Sequence, residues 1–239
     1  PRAADFTIDQ AWDTYSAAEH DRWDRLFLRQ REIAKGRASE VALKAMAELE
    51  LSASGIPNMA ELSDKLEKIT GWRVVPVAEL VPDEIFFDHL ANRRFPAGAF
   101  IRPEAEFDYL QEPDIFHDIQ GHVPFLMNKK YADFMWEIGA LGNEIIKDER
   151  GLGPDLVAHN LKRLQNFAWW TYEFGLIKNT GDTDTFRRVA NDMDYEIYGA
   201  GIISSFDEVT NVVKCAKGES SRSKFLPYNI EEMIITNKK

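Results

Sequence analysis

The sequence is poor in cysteine: Cys215 is the one thiol in 239 residues. No internal disulfide can form, and a reducing compartment is the simplest setting. It lacks any run of about 18 apolar residues, which excludes a transmembrane helix of ordinary length. No signal-peptide pattern opens the chain, so a cytoplasmic location is expected. Basic residues are outnumbered, with 29 Lys and Arg against 40 Asp and Glu and a net charge of −11. Such a chain has no basic face to displace counterions from nucleic acid or to settle on anionic lipid, and neither partner is expected. Glycine and proline are modest, at 14 and 10, with no repeat and no low-complexity tract. That excludes fibres and disordered linkers.

What remains is a globular chain, 44% hydrophobic and 12% aromatic, long enough to bury one large core. Periodicity predicts mostly helix. Phe6 to Arg31 reads as a loop followed by an amphipathic helix, and residues 1–35 are expected to pack loosely. Ser39 can cap a helix carrying Ala42, Ala45, Met46 and Leu49. Asn58 and Glu61 resemble a capping box, and Gly71 closes the helix they start. Val74 to Val77 is a short strand, Pro82 to Leu90 a helix, and Phe100 to Arg102 extended. Lys129 to Lys147 is a long helix, with Tyr131, Phe134, Met135, Ile138, Leu141 and Ile145 as its apolar stripe. Asp155 to Phe174 is another, with Leu156, Leu161, Leu164, Phe167 and Trp170 facing inward. Leu176-Ile177 and Ile197-Tyr198 are strand candidates.

The sharpest feature is Glu112-Pro113-Asp114-Ile115-Phe116-His117-Asp118-Ile119-Gln120-Gly121-His122-Val123-Pro124. It holds two of the five histidines, five residues apart. On a regular α-helix that spacing turns the side chains about 140° from each other. One metal can take both only if the helix ends between them. Gly121 is the expected terminator, with His122 turned back just beyond. The His-Glu-x-x-His pattern of zinc proteases is absent. The flanks Ile115, Phe116, Ile119, Val123 and Phe125 are apolar, so both imidazoles are expected to be buried and to need partners. A second run, Phe167 to Ile177, carries one charge, Glu173, among aromatics. A lone buried carboxylate must be paired or bind a metal. Two His and one carboxylate are the facial triad of non-haem Fe(II) oxygenases.

These residues resemble the aromatic amino acid hydroxylases. The segment Tyr109 to Pro124 is similar to that family's iron-binding motif. The likeness extends through Glu19-His20, Gly71-Trp72-Arg73, Pro76-Val77, Arg102, Trp169 to Leu176 and Tyr198 to Phe206. The bacterial members that act on phenylalanine are the most similar. The resemblance implies a mainly α fold, a helical basket around a mononuclear iron with small β elements. It implies a single catalytic domain over 1–239, without regulatory or tetramerisation domains, and therefore a monomer.

It also implies site residues. His117, His122 and Glu173 match the iron ligands and the catalytic centre. Arg102 matches the arginine that binds the substrate carboxylate. Trp169 and Phe174 match residues lining the substrate ring pocket, and Gly201 and Ser204 border the substrate. Phe86 falls at the aromatic that stacks on the pterin, with Phe87 and Val81 beside it. Members acting on phenylalanine carry Trp where Trp169 stands, and those acting on tryptophan carry Phe. The implied activity is hydroxylation of phenylalanine to tyrosine with O2 and a tetrahydropterin cosubstrate. The alternatives are the same chemistry on tryptophan or another aromatic amino acid, or a non-catalytic metal- or pterin-binding protein. Asp114, three residues before His117, is expected to orient its imidazole.

Each assignment has a plainer structural reading. Arg102 could pair with Glu104 or Glu106, Phe86 and Trp169 could be core aromatics, and Asp114 could be a first-turn helix acid. Three departures from the family pattern stand out: Gln120 in place of an apolar residue, Glu79 in place of a small one, and a long loop from Asn179 to Tyr195.

Overall fold

The computed structural model describes residues 2–108, 110, 112–178 and 195–219. A short 3-10 turn, Trp12–Thr14, leads into α1, Ala17–Ala34. Ser16 starts α1 with a complete capping box: its side chain accepts from the Glu19 amide, and the Glu19 carboxylate accepts from the Ser16 amide. Trp23, Leu26, Phe27 and Ala34 are buried at helical spacing. The Trp23 ring meets Phe116 edge-on at 5.3 Å, and its Nε1 donates to the Ser52 carbonyl at 3.0 Å. Residues 2–22 hold no buried side chain, whereas from Trp23 on α1 is part of the core rather than of the loose segment expected for residues 1–35. Each such large side chain contributes about 1.5–3 kcal/mol by leaving water. Interleaved charges disguised the helix as a surface element.

Next come α2, Glu40–Glu48, and α3, Met59–Thr70. Ser39 caps α2 through the Val41 amide. Asn58 caps α3 through the Ala60 amide alone, and Gly71 closes it in the left-handed conformation with φ of 76°. The strand β1, Arg73–Val77, is followed by α4, Asp83–Ala91, and β2, Arg94–Gly98. The two strands pair in parallel from Arg73 opposite Arg94 to Val77 opposite Gly98. Sequence reading missed β2, because Arg-Phe-Pro-Ala-Gly has little strand propensity. It pairs because α4 carries the chain back beside β1, and Phe100 to Arg102 lies beyond its end.

The helix α5, Lys129–Lys147, packs against α4. A Cβ at Gly142 would stand 2.3 Å from the Phe87 ring, so only glycine admits so close an approach. The helix α6, Pro154–Ala168, follows. Leu141 and Leu156, both expected to face inward, are 44% and 50% exposed. The apolar stripes of α5 and α6 are wider than the face along which they meet. The strands β3, Leu176–Lys178, and β4, Tyr195–Ile197, pair antiparallel. The chain then forms α7, Ala200–Ile203, and α8, Phe206–Ala216. Among the described residues no helix is long and apolar enough to cross a membrane.

Candidate metal centre

Asp114 opens the helical turn that leads to the histidines. Its Oδ1 accepts from the His117 amide at 3.0 Å, the work of an N-cap. From His117 to His122 the backbone is π-helical, and the Val123 amide reaches back to the Asp118 carbonyl. In a π turn the hydrogen bond spans i→i+5, so residues five apart stand about one turn apart on the same face. The helix does not stop at Gly121 as expected but widens there. Gly121 serves packing instead: a Cβ on it would stand 2.9 Å from the Ala200 carbonyl of α7. The same device recurs at the end of α6. Trp169–Glu173 is a second π turn, closed by Phe174 N–H on Trp169 O at 3.2 Å.

The two widened turns bring three ligand atoms together. His117 Nε2 and His122 Nε2 are 3.1 Å apart. Glu173 Oε1 lies 3.0 Å from His122 Nε2, and Oε2 lies 3.7 Å from His117 Nε2. All three groups offer ligand atoms within 4.8 Å of one another. Two imidazole nitrogens facing each other at this distance cannot both carry hydrogen, whereas a cation between them and the carboxylate satisfies all three. Two nitrogens and one oxygen fit Fe(II) with coordination positions left open. The His122 side chain is 4% exposed, and those of His117 and Glu173 are 18% and 15%, so the cluster is open on the side of His117 and Glu173.

Ser204 settles the tautomer of His117. Its hydroxyl donates to the Ala200 carbonyl at 2.8 Å. It therefore accepts from His117 Nδ1, also at 2.8 Å. Nδ1 carries the proton and Nε2 keeps its lone pair for a metal. Asp114, expected to orient this imidazole, holds the His117 backbone instead, and Ser204 orients the ring. Asp114 also accepts from Arg102 three times, through its amide at 2.9 Å, Nε at 2.8 Å and Nη2 at 2.8 Å. The pairing of Arg102 with Glu104 or Glu106 is absent. With Asp114 on its Nε edge, the Nη1 side of the guanidinium remains for another carboxylate.

Burial holds His117 down at about 4, against the pull of Glu173. Burial works to raise Glu173, but the His122 charge and hydrogen bond prevail and bring it to about 2. Burial opposes the charged form of His122 too, and Glu173 reverses it, so the pKa of His122 rises. Asp118 is 6% exposed and accepts from the Gly98 amide at 2.7 Å; burial pushes it up to about 7. Its signal in the sequence was an acid between the two histidines in an apolar run. Phe95 and Tyr172 were also missed. Their rings lie 5.1 Å and 5.6 Å from the His122 ring and wall it in.

The remaining expectations fall in different places. Trp169 is 56% exposed and tilts against Phe174 at 5.0 Å. A Cβ on Gly201 would stand 3.0 Å from Glu173 Oε2, so Gly201 makes room for the carboxylate. Phe86 is half-buried and meets Phe87 edge-on at 5.9 Å. Phe87 itself is 3% exposed and packs on Gly142, which makes it a core residue rather than an open pterin contact. Val81 is buried as well. Glu79 pairs at the surface with Arg2. Gln120 is buried, and its Oε1 has no hydrogen-bond partner. The loop expected from Asn179 to Tyr195 lies outside the described residues up to Tyr195.

A family model described as biopterin-dependent aromatic amino acid hydroxylase matches residues 9–237. A phenylalanine-4-hydroxylase of Caulobacter vibrioides is 47% identical over 204 residues, covering 85% of this chain and 62% of the relative. One of Chromobacterium violaceum is 40% identical over 206 residues, covering 86% and 62%. The chain thus spans less than two thirds of the length of these relatives. Among solved structures, the Chromobacterium violaceum enzyme with bound iron(III) and 7,8-dihydrobiopterin aligns with a TM-score of 0.74 at 40% identity, covering 87% of this chain and 69% of that one. The iron- and phenylalanine-bound form aligns at 0.76 and 35% identity, covering 97% and 74%.

Proposed function

The chain belongs to the biopterin-dependent aromatic amino acid hydroxylases, and from that premise we propose that it hydroxylates L-phenylalanine to L-tyrosine with O2 and a tetrahydropterin. The observation that carries the proposal is the meeting of His117, His122 and Glu173 within 4.8 Å at the ends of two π turns. Iron(II) held by these three would supply the oxygen activation that no amino-acid side chain can.

The chain's own groups bind, orient and exclude water. Arg102 takes the substrate carboxylate on the N–H groups that Asp114 leaves free, a charge-assisted contact that sets the direction of the amino acid. Asp114 grips both Arg102 and the His117 amide, so the carboxylate anchor and the metal ligand share one rigid post. Ser204 keeps His117 Nε2 unprotonated. Trp169 and Phe174 border the ring, Gly201 leaves space at Glu173, and Phe86 offers its face to the pterin. Burial of Phe95, Tyr172 and Ile119 around the histidines keeps water from that side.

The same reading takes the chain as one catalytic domain, a monomer in the cytoplasm, acting on small molecules without nucleic-acid or membrane partners. The net charge of −11 supports the last point. The test is protein loaded anaerobically with Fe(II), then given tetrahydropterin and air with Phe, Tyr or Trp in separate reactions. Tyrosine from phenylalanine is expected. Iron-loaded protein that forms no tyrosine overturns the proposal, and faster turnover of tryptophan overturns the choice of substrate.

A further inference from the structure

Arg29 belongs to no motif of the site, yet it joins the two segments that flank it. Its guanidinium carbon lies 4.6 Å from the Phe107 ring centroid and 5.1 Å from that of Phe206. Phe107 is five residues beyond Arg102, on the segment leading to Asp114. Phe206 is two residues beyond Ser204, which holds the His117 imidazole. The next residue on α1, Gln30, is buried and donates to the Ile203 carbonyl at 2.5 Å. Arg25, one turn earlier, lies 4.8 Å from the Phe107 ring and binds Glu104 through two nitrogens. One face of α1 thus grips both the carboxylate-anchor segment and the segment behind the metal ligand.

The planar group rather than the charge alone makes this connection. Arg29 Nη1 pairs with Asp108, whose side chain is 74% exposed, and such pairs are weak and screened by salt. Arg29 Nη2 reaches the Phe107 carbonyl at 3.4 Å. Nε is buried with no hydrogen-bond partner, so ring contact and not hydrogen bonding occupies that part of the group. A guanidinium can stack on aromatic rings, and an ammonium cannot reproduce its plane.

We propose that Arg29 is a positioning residue: held between Phe107 and Phe206, it fixes the separation of the Arg102 segment from the Ser204 segment. It thereby fixes the place of the substrate carboxylate relative to the metal ligands. This rests on the function proposed above. The experiment compares wild type with Arg29→Lys, Arg29→Ala and Phe206→Leu. It measures iron content, Tm, the calorimetric Kd of phenylalanine for the iron-loaded protein, and tyrosine formed per tetrahydropterin consumed.

In all three variants the Kd should rise about five- to tenfold, the size of one or two lost cation–π contacts. The yield of tyrosine per pterin should fall while iron content stays at the wild-type level. Phe206→Leu keeps an apolar side chain of similar bulk and serves if Arg29→Ala fails to fold. A wild-type Kd in Arg29→Lys shows that charge alone suffices and overturns the proposal, as does a wild-type Kd in Phe206→Leu. A wild type that loads iron but binds no phenylalanine overturns the functional reading and this inference with it. A wild type that makes tyrosine beside unchanged variants overturns this inference alone.

Discussion

The Nε2 atoms of His117 and His122 lie 3.1 Å apart, five residues apart in sequence and one π turn apart in space. Their nearness to the Glu173 carboxylate leads to the first prediction. His122→Ala should abolish tight Fe(II) binding and hydroxylation together, because two ligands on the remaining face do not complete the facial set. Metal analysis after gel filtration checks it; retained iron with full activity overturns the assignment.

Ser204→Ala should leave the three ligands in place but free His117 to adopt either tautomer. Loss of a group that orients a metal-bound histidine costs about 10- to 100-fold in metal affinity. Competition against a chelator measures it. Unchanged affinity would show that packing alone orients the ring.

Arg102 and Asp114 form a buried pair whose side chains are 7% and 0% exposed. Arg102→Ala should weaken phenylalanine binding by about tenfold to a hundredfold, the effect of losing a charge-assisted hydrogen bond. It should also destabilise the fold by about 3–5 kcal/mol, since Asp114 keeps its two backbone donors but is left buried without a counter-charge. Denaturant titration separates the two effects. The doubly substituted protein, Arg102→Ala with Asp114→Ala, should recover part of the stability and none of the phenylalanine affinity.

His89 predicts a pH dependence. It is fully buried, with Nε2 2.8 Å from the Asp5 carbonyl. Burial lowers its pKa below the ordinary 6.5, with the Arg94 charge adding to this and Asp5 and Asp88 opposing it. The folded protein therefore keeps it neutral while the unfolded chain takes up a proton below about 6.5. Its contribution is complete above that pH and is lost as pH falls through the lowered value. His89→Gln should flatten the fall in Tm between pH 7.5 and 5. Parallel curves for the two proteins would remove His89 as the cause.

Trp169→Phe should raise the ratio of kcat/KM for tryptophan over phenylalanine. A small change in pocket volume discriminates by about 1–3 kcal/mol. Steady-state kinetics on both amino acids reads the ratio; a value that does not rise removes Trp169 as the determinant of ring size.

The sequence by itself determined the chemistry available: two histidines in an apolar run, one acid among aromatics, and caps at Ser39 and Asn58 that start helices where local hydrogen bonding demands them. Helix periodicity set α5 to its residues, because its buried positions recur every three or four along one element. Tertiary structure decided what depends on distant partners. A π turn stands where a helix end was expected, and Gly121 within it admits the close approach of Ala200 from α7. Ser204 rather than Asp114 met the imidazole, because α7 lies across 87 residues of chain from His117. Periodicity showed α1 as an amphipathic helix, but how deeply Trp23 sits, edge-on to Phe116, depended on the fold. Phe87 and Phe86 differ by one position in sequence, and it is Phe87 that meets Gly142 of α5 and enters the core. Local spacing constrains one element at a time, whereas burial and hydrogen-bond partners are properties of pairs of elements brought together by the fold.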